Sequence, residues 1–169
     1  MRLLFLALLM CLPMNVMAQN DLKGDLRRAA DEPSVIEYLK QSENHTLFVN
    51  ALTVTGYDLE LDKNQSWTVF APTNGAFAKL PRAQVYGMFR DENRDYLKRF
   101  VAHHIQKNGL LITKSMPVGA SRFTVLNGQE IVISKSSSGI TVNHAYIFQP
   151  DIRTRNGVVH FVDGILLQK

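Results

Sequence analysis

Histidine is the residue type in this chain best suited to catalysis or metal binding, and its spacing supports neither. The five histidines are His45, His103, His104, His144 and His160. No HxxxH or HExxH spacing occurs, and on a strand the adjacent pair would point to opposite faces. We therefore predict no metal site. We expect His104 and His160 to be hydrogen-bonded structural residues in the interior.

Nucleophilic and phosphate-binding chemistry also lack their usual sequence patterns. There is no GxSxG motif, and the glycines are too scattered to form a phosphate-binding loop. The only cysteine, Cys11, lies in the N-terminal apolar run, where it cannot pair with a catalytic histidine. We predict a non-enzymatic protein with no catalytic residues and no cofactor.

Basic residues give the chain one candidate binding surface. From residue 63 onward there are fourteen basic and six acidic residues. A helix is predicted from Asp91 to about Phe100, and Arg90, Arg94 and Lys98 recur along it at every fourth residue, so they share one stripe. A solvated helix face is the simpler interpretation, and contact with a polyanion is the alternative.

The first half of the chain has the apolar spacing of helices. One helix is predicted to start near Pro33 and a second to end at Gly56, because proline suits a first helical turn and glycine a C-terminal stop. Residues 67–70 are predicted to form a short buried strand. After it, Thr73 or Asn74 can cap a further helix.

The last third of the chain is rich in strand patterns. The runs 123–126 and 129–134 flank Asn127-Gly128, a pair that predicts a hairpin with a type I′ turn. Further strands are predicted at Ile140–Val142, Ala145–Phe148, Val158–Val162 and Ile165–Leu167. Because helices come first and strands second, the sequence predicts an α+β fold.

The N-terminus has the layout of a secretory signal. Residues 1–18 are predicted to be a signal peptide, with cleavage near Ala18-Gln19, because a cationic start precedes an apolar run too short to span a membrane. Lipid anchoring at Cys11 is disfavoured. Residues 19–32 are then an N-terminal extension and residues 33–169 form one domain. We expect the protein to be secreted or periplasmic.

Two segments of the chain resemble the signature blocks of fasciclin domains. Residues 68–74, followed by Ala76-Phe77, are similar to the first block, and residues 156–167 are similar to the second. Between them, residues 103–105 (His-His-Ile) stand where the family usually has a Tyr-His pair, and residues 126–128 match its central hairpin. The resemblance spans the predicted domain in the expected order.

This resemblance implies a wedge of two small β-sheets with helices packed along one side. It also implies that the two signature blocks lie next to each other in the interior as scaffolding. The structural signature residues that it assigns are Thr68, Phe70, Pro72, Thr73, Asn74, Phe77, His104, Asn156, Gly157, His160 and Asp163.

The family resemblance further implies an adhesion module that binds a protein or polysaccharide of a cell surface or matrix. We also expect no nucleic acid binding and no membrane span, and we expect a monomer. Asp151 and Ile152 are candidate partner contacts. The simpler interpretation is that Ile152 anchors its segment in the core while Asp151 caps a turn. A soluble carrier or sensor, holding a small ligand in a cleft between the helices and the sheet, is the alternative function.

Overall fold

The computed structural model describes residues 32–63 and 65–166. The predicted signal peptide, and all but the last residue of the predicted extension, lie outside these ranges. The described helices are α1 (Val35–Lys40), α2 (Thr46–Thr55), α3 (Tyr57–Leu61), α4 (Asn74–Ala78), α5 (Arg82–Met88) and α6 (Arg94–His103). The strands are β1 (Trp67–Pro72), β2 (Ile105–Lys107), β3 (Gly119–Thr124), β4 (Glu130–Ser136), β5 (Gly139–Val142), β6 (Ala145–Thr154) and β7 (Gly157–Val162).

Local capping signals fix the ends of the first two helices. Ser34 accepts a hydrogen bond from the Glu37 backbone N–H (3.3 Å), and the Glu37 carboxylate accepts one from the Ser34 N–H (2.7 Å). This capping box places the start of α1 just after Ser34, so Pro33 precedes the helix instead of opening its first turn. The predicted stop at Gly56 is confirmed, since this glycine follows α2 with a φ of 78°.

Two helices differ from their predictions. The expected helix around residues 91–100 divides into a 3₁₀ turn, Asp91–Asn93, and α6, which extends to His103. His103 therefore ends a helix, and its supposed place on a strand was wrong. Helix α5 was not predicted, because Met88 is its only fully buried residue and it offers little apolar periodicity.

The described strands have the order β2-β1-β7-β6-β5-β4-β3. β1 and β7 run parallel, from Trp67 opposite Gly157 to Pro72 opposite Val162, and the other neighbouring strands are antiparallel. β6 belongs to both halves of this arrangement, pairing with β7 in one and with β5 in the other. The predicted α+β class, with two small sheets and packed helices, is confirmed.

Two details of the strand prediction were wrong. Val125 donates its N–H to the Gln129 carbonyl (2.9 Å), so the β3–β4 loop has three residues rather than two. Within it φ is positive only at Gly128 (81°), whereas a type I′ turn requires two positive values. Ile165 and Leu166 lie beyond the last strand, although Leu166 is buried.

Strands β1 and β7 are buried on both faces and therefore separate two cores. The first core lies on the side of the helices, and the second core lies on the side of β4, β5 and β6. Val69 and Ala71 of β1 face the helices, where they meet buried side chains of α1, α2 and α6. Phe70 faces the opposite way and packs with the apolar side chains of β4, β5 and β6. This alternation explains why the signature segments are apolar at successive positions.

Candidate functional site

The two signature segments meet as the parallel pair β1 and β7. Thr68 ties this pair to the chain that follows β2, because its hydroxyl donates to the Gly109 carbonyl (2.8 Å) and accepts from the Leu111 N–H (3.0 Å). Phe70 stacks on His160, with ring centroids 5.2 Å apart. Every residue of both strands is buried.

His104 packs against the first core and is fully buried. Its Nδ1 lies 2.9 Å from the Phe100 carbonyl, which can only accept, so Nδ1 carries the proton. Nε2 then accepts from the Leu166 N–H (3.1 Å) and fastens the segment after β7. Burial lowers the pKa of His104 to about 3. The imidazole is therefore a neutral link between a helix and the C-terminal segment.

His160 packs against the second core and is also fully buried. Its Nε2–H donates to the Leu111 carbonyl (2.9 Å), and its Nδ1 accepts from the Asp151 N–H (3.1 Å). Burial lowers the pKa of His160, while the Leu111 carbonyl and the Asp151 carboxylate oppose this effect. Both ring nitrogens are used internally, so neither is available to a ligand.

Asn156 and Gly157 join the start of the domain to the start of β7. The Asn156 Oδ1 accepts from the Val35 N–H (2.9 Å), and its Nδ2 donates to the carbonyls of Leu61 (2.7 Å) and Lys63 (3.0 Å). Next to it, a Cβ on Gly157 would come within 2.7 Å of the Val35 Cγ2 and even nearer to the Trp67 carbonyl. The close approach of β1 and α1 therefore requires glycine.

Pro72, Thr73 and Asn74 form the turn from β1 into α4. Thr73 caps α4 by accepting from the Ala76 N–H (3.1 Å). Asn74 reaches instead to another helix, where it accepts from the Leu47 N–H (3.1 Å) and donates to the Glu43 carbonyl (3.0 Å).

Asp163 and Phe77 complete the signature residues, at the opposite end of the β1–β7 pair from Asn156. The Asp163 carboxylate accepts from the Tyr146 N–H (2.7 Å) and from Lys79 (3.0 Å), which joins β6 to the end of α4. Phe77 is fully buried in the first core and packs against Phe100.

Two further histidines are buried, which sequence analysis did not predict. His45 bonds to the Ser42 hydroxyl through Nδ1 (2.7 Å), and its ring lies 4.0 Å from that of Phe161. Burial lowers its pKa to about 4. His103 meets the Asn127 amide through Nδ1 (3.3 Å), and burial lowers its pKa as well. For each ring, Nε2 is buried without a hydrogen-bond partner among the described residues.

Asp151 and Ile152, the candidate partner contacts, lie at an irregular part of β6. Asp151 has a φ of 59°, and its carboxylate accepts from the Thr113 N–H (2.7 Å), the Thr113 hydroxyl (2.9 Å) and the Lys114 N–H (3.1 Å). Its side chain is only 6% exposed. Ile152 packs against the first core. This geometry favours the structural interpretation of the pair, and the contact role stays a prediction.

The three residues of the basic stripe have different surroundings. Arg90 pairs with Glu92 (3.2 Å), and Arg94 donates to the Val54 carbonyl (2.7 Å) near the C-terminal end of α2. Lys98 forms no ion pair among residues 32–63 and 65–166. All three side chains are exposed, so they remain a candidate polyanion surface, but of the three only Lys98 has no hydrogen-bond or ion-pair partner among the described residues.

Residues 32–63 and 65–166 contain no group of three or more His, Cys, Asp or Glu side chains placed to hold a metal ion. None of the helices assigned there combines the length and apolarity that a membrane crossing requires.

Comparison with known proteins identifies the class that this fold and these segments define. The structure superimposes on a FAS1 domain pair from the insect cell adhesion molecule fasciclin I with a TM-score of 0.70, at 15% identity, covering 80% of this chain and 51% of that one. A family model described as the fasciclin domain matches residues 43–168. The chain therefore belongs to the fasciclin domain family.

Relatives of this chain come from bacteria and from animals. The Synechocystis protein sll1483 is 27% identical over 134 residues, which are 79% of this chain and 73% of that protein. Human periostin is 29% identical over 136 residues, 80% of this chain but 16% of periostin. The Sus scrofa transforming growth factor-beta-induced protein ig-h3 is 31% identical over 79% of this chain and 19% of its own length. The chain thus spans less than a fifth of these two animal relatives.

Proposed function

We propose that this chain is an exported, non-catalytic adhesion module that binds a protein or polysaccharide of a cell surface or matrix. One observation carries the proposal: the signature histidines, His104 and His160, are fully buried and use both ring nitrogens in internal hydrogen bonds. These two histidines therefore act as scaffold, and recognition falls to the outer surface.

The family relationship supports an interaction role. The superimposed structure is a pair of FAS1 domains from a protein described as a cell adhesion molecule. A single domain of this size binds through a limited surface, so display of many copies would raise its avidity. We propose that surface display or a multivalent partner supplies this multiplicity.

The carrier alternative has less structural support. A carrier holds its ligand in an enclosed and largely apolar cavity. Two clefts among the described residues are both open to solvent, and each is lined by several polar or charged side chains. Neither of these clefts would seal a ligand between the helices and the sheet.

A bead assay tests the adhesion proposal. Fluorescent beads densely coated with the purified chain should bind to the envelope or matrix of the cells that produce it, and excess free chain should displace them. Beads coated with the heat-unfolded chain have the same composition and charge and serve as the control. Equal binding by both preparations would contradict the proposal, as would native mass spectrometry showing a bound small molecule and no binding to cells.

The same assay separates the two roles of Asp151. If Asp151 is a direct contact, Asp151→Ala abolishes bead binding while the melting temperature stays unchanged. If it is structural, the substitution lowers the melting temperature, because three hydrogen bonds to its carboxylate are lost together. We expect the second result.

A further inference from the structure

A cleft of about 340 Å³ opens between helix α6, the start of α3 and the β3–β4 loop. The lining residues are Tyr57, Asp95, Lys98, Arg99, Ala102, Leu126, Asn127 and Gln129. Its volume is at the lower end of the range of small-ligand clefts, about 300–1,000 Å³. This combination of lining residues was not predicted from the sequence, because they come from three segments that are distant along the chain.

The charges that line this cleft suit a polymeric ligand that carries one negative charge on each repeating unit. Lys98 and Arg99 are exposed on α6, and neither forms an ion pair with any other residue in the described ranges. Asp95 lies one helical turn earlier on the same wall, and it also forms no ion pair within the described ranges. Two cations and one carboxylate leave a net charge of +1, and Asp95 repels a chain that carries dense negative charge.

The remaining polar groups of the cleft are suited to hydrogen bonds with hydroxyl groups of a ligand. Asn127 is held in place because its Oδ1 accepts from the Gln129 N–H (3.1 Å), and the two amides lie close together (3.3 Å). Tyr57 contributes an aromatic ring and a phenol. Burial, followed by the nearby Glu60, raises the pKa of this phenol, so it stays protonated at neutral pH and can donate. Ala102 and Leu126 provide the apolar lining.

We propose that this cleft binds a carboxylate-bearing sugar unit, such as a uronate, within an acidic polysaccharide. Lys98 and Arg99 bind the carboxylate, while Asp95, Tyr57 and the amides of Asn127 and Gln129 exchange hydrogen bonds with the hydroxyls. The proposal rests on the proposed adhesion function and names its partner class. Acidic peptides fit less well, because they lack the hydroxyl groups that this lining complements.

Titration calorimetry of the purified chain with oligogalacturonate tests the proposal. Two probes serve as controls: the methyl ester of the same oligosaccharide, which keeps the hydroxyls but loses the charge, and polyglutamate, which keeps the charge but lacks the hydroxyls. We expect binding of oligogalacturonate alone. Equal binding of the ester or of polyglutamate, or no binding of oligogalacturonate, would overturn the inference.

Substitutions place the binding in the cleft. Lys98→Gln and Arg99→Gln should each weaken oligogalacturonate binding about three- to tenfold, since each removes one charge-assisted hydrogen bond. Arg82→Gln removes the same charge from an exposed position on α5, outside the cleft, and should leave the affinity unchanged. If all three variants lose affinity equally, the attraction is a general effect of charge and the cleft is not the site.

The bead assay distinguishes this inference from the function on which it depends. If beads carrying the Lys98→Gln chain still bind to cells fully, the adhesion proposal stands and the cleft proposal fails. Loss of bead binding with Lys98→Gln, but not with Arg82→Gln, supports both.

Discussion

At the scale of single residues, Gly157 is the position where the fold leaves the least room. Gly157→Ala would place a Cβ within 2.7 Å of the Val35 Cγ2, with the Trp67 carbonyl nearer still. Because a backbone carbonyl cannot move aside easily, we expect a loss of about 1–3 kcal/mol or more in the free energy of unfolding. Urea denaturation measures the effect.

A second glycine provides the matched control for this substitution. A Cβ on Gly87, in helix α5, would meet no atom within 4 Å. Gly87→Ala should therefore be neutral or stabilise the protein by up to about 1 kcal/mol. If the two variants unfold at the same urea concentration, the close contact of β7 with β1 and α1 is not as described.

His160 illustrates a different residue-scale constraint, since its ring serves two backbone groups. His160→Ala removes the partners of the Leu111 carbonyl and the Asp151 N–H. We expect a loss of about 1–3 kcal/mol for the unpaired buried groups, seen as a lower melting temperature. His144→Ala, at an exposed position, is the control, and an unchanged melting temperature in both variants would exclude the structural role of His160.

At the scale of elements, one helix is capped by a residue from another. Helix α2 has no side-chain cap from His45 at its own N-terminal position, and Asn74 of α4 supplies the acceptor for the Leu47 N–H. Asn74→Ala should destabilise the protein by about 0.5–2 kcal/mol, a typical cost of removing a cap. Urea denaturation of the variant checks this value.

Helix α2 also contains the control for that experiment. Asn50 is exposed and lies within the helix. Asn50→Ala should be neutral or slightly stabilising, because alanine has the higher helix propensity. A loss of stability as large as that of Asn74→Ala would show that the effect does not arise from the cap.

Elements with strong local signals were predicted well from the sequence. Helix α2 has apolar spacing and a stop at Gly56, and strands β1 and β7 are short β-prone apolar runs. Strand β6 extends beyond its predicted end at Phe148, past Pro150 and Asp151. It continues because Asp151 adopts a positive φ while its carboxylate bonds to the segment around Thr113. That partner is 38 residues away, so no local pattern could indicate it.

The candidate site was predictable only in part for the same reason. Family resemblance pointed to the signature residues, but Asn74 finds its partner Leu47 27 residues earlier, and Asn156 finds Val35 121 residues earlier. The stripe through Lys98 follows from helical periodicity. The Arg90–Glu92 pair is local, whereas the bond from Arg94 to Val54 and the cleft beside Lys98 depend on tertiary contacts.

At the scale of the whole molecule, the buried histidines couple folding to pH. Four of them, His45, His103, His104 and His160, are at most 2% exposed, and burial lowers the pKa of each. The unfolded chain takes up protons on these residues near pH 6.5, whereas the folded chain takes them up at lower pH. Since the unfolded state binds more protons, stability should fall as the pH decreases below about 7.

The pH range over which this stability is lost follows from the individual pKa values. For His45 it extends from about pH 6.5 down to about 4, and for His104 down to about 3. Each histidine contributes a slope of about 1.4 kcal/mol per pH unit within its window. The lowered pKa values of Asp151 and Asp163 add their loss at lower pH, below their ordinary value of 3.8. Between pH 6 and 5, the histidines should therefore dominate.

A single substitution tests this coupling. Phenylalanine at position 45 can keep the contact with Phe161 but cannot bind a proton, so His45→Phe should reduce the slope of unfolding free energy against pH by about 1.4 kcal/mol per unit. The measurement is urea denaturation of both proteins at intervals from pH 7.5 to pH 5. At pH 7.5 the histidine is neutral in both states, so any difference there reports the changed packing and the lost hydrogen bond to Ser42. Parallel curves for the two proteins would mean that His45 is protonated in the folded state and that its burial does not govern stability.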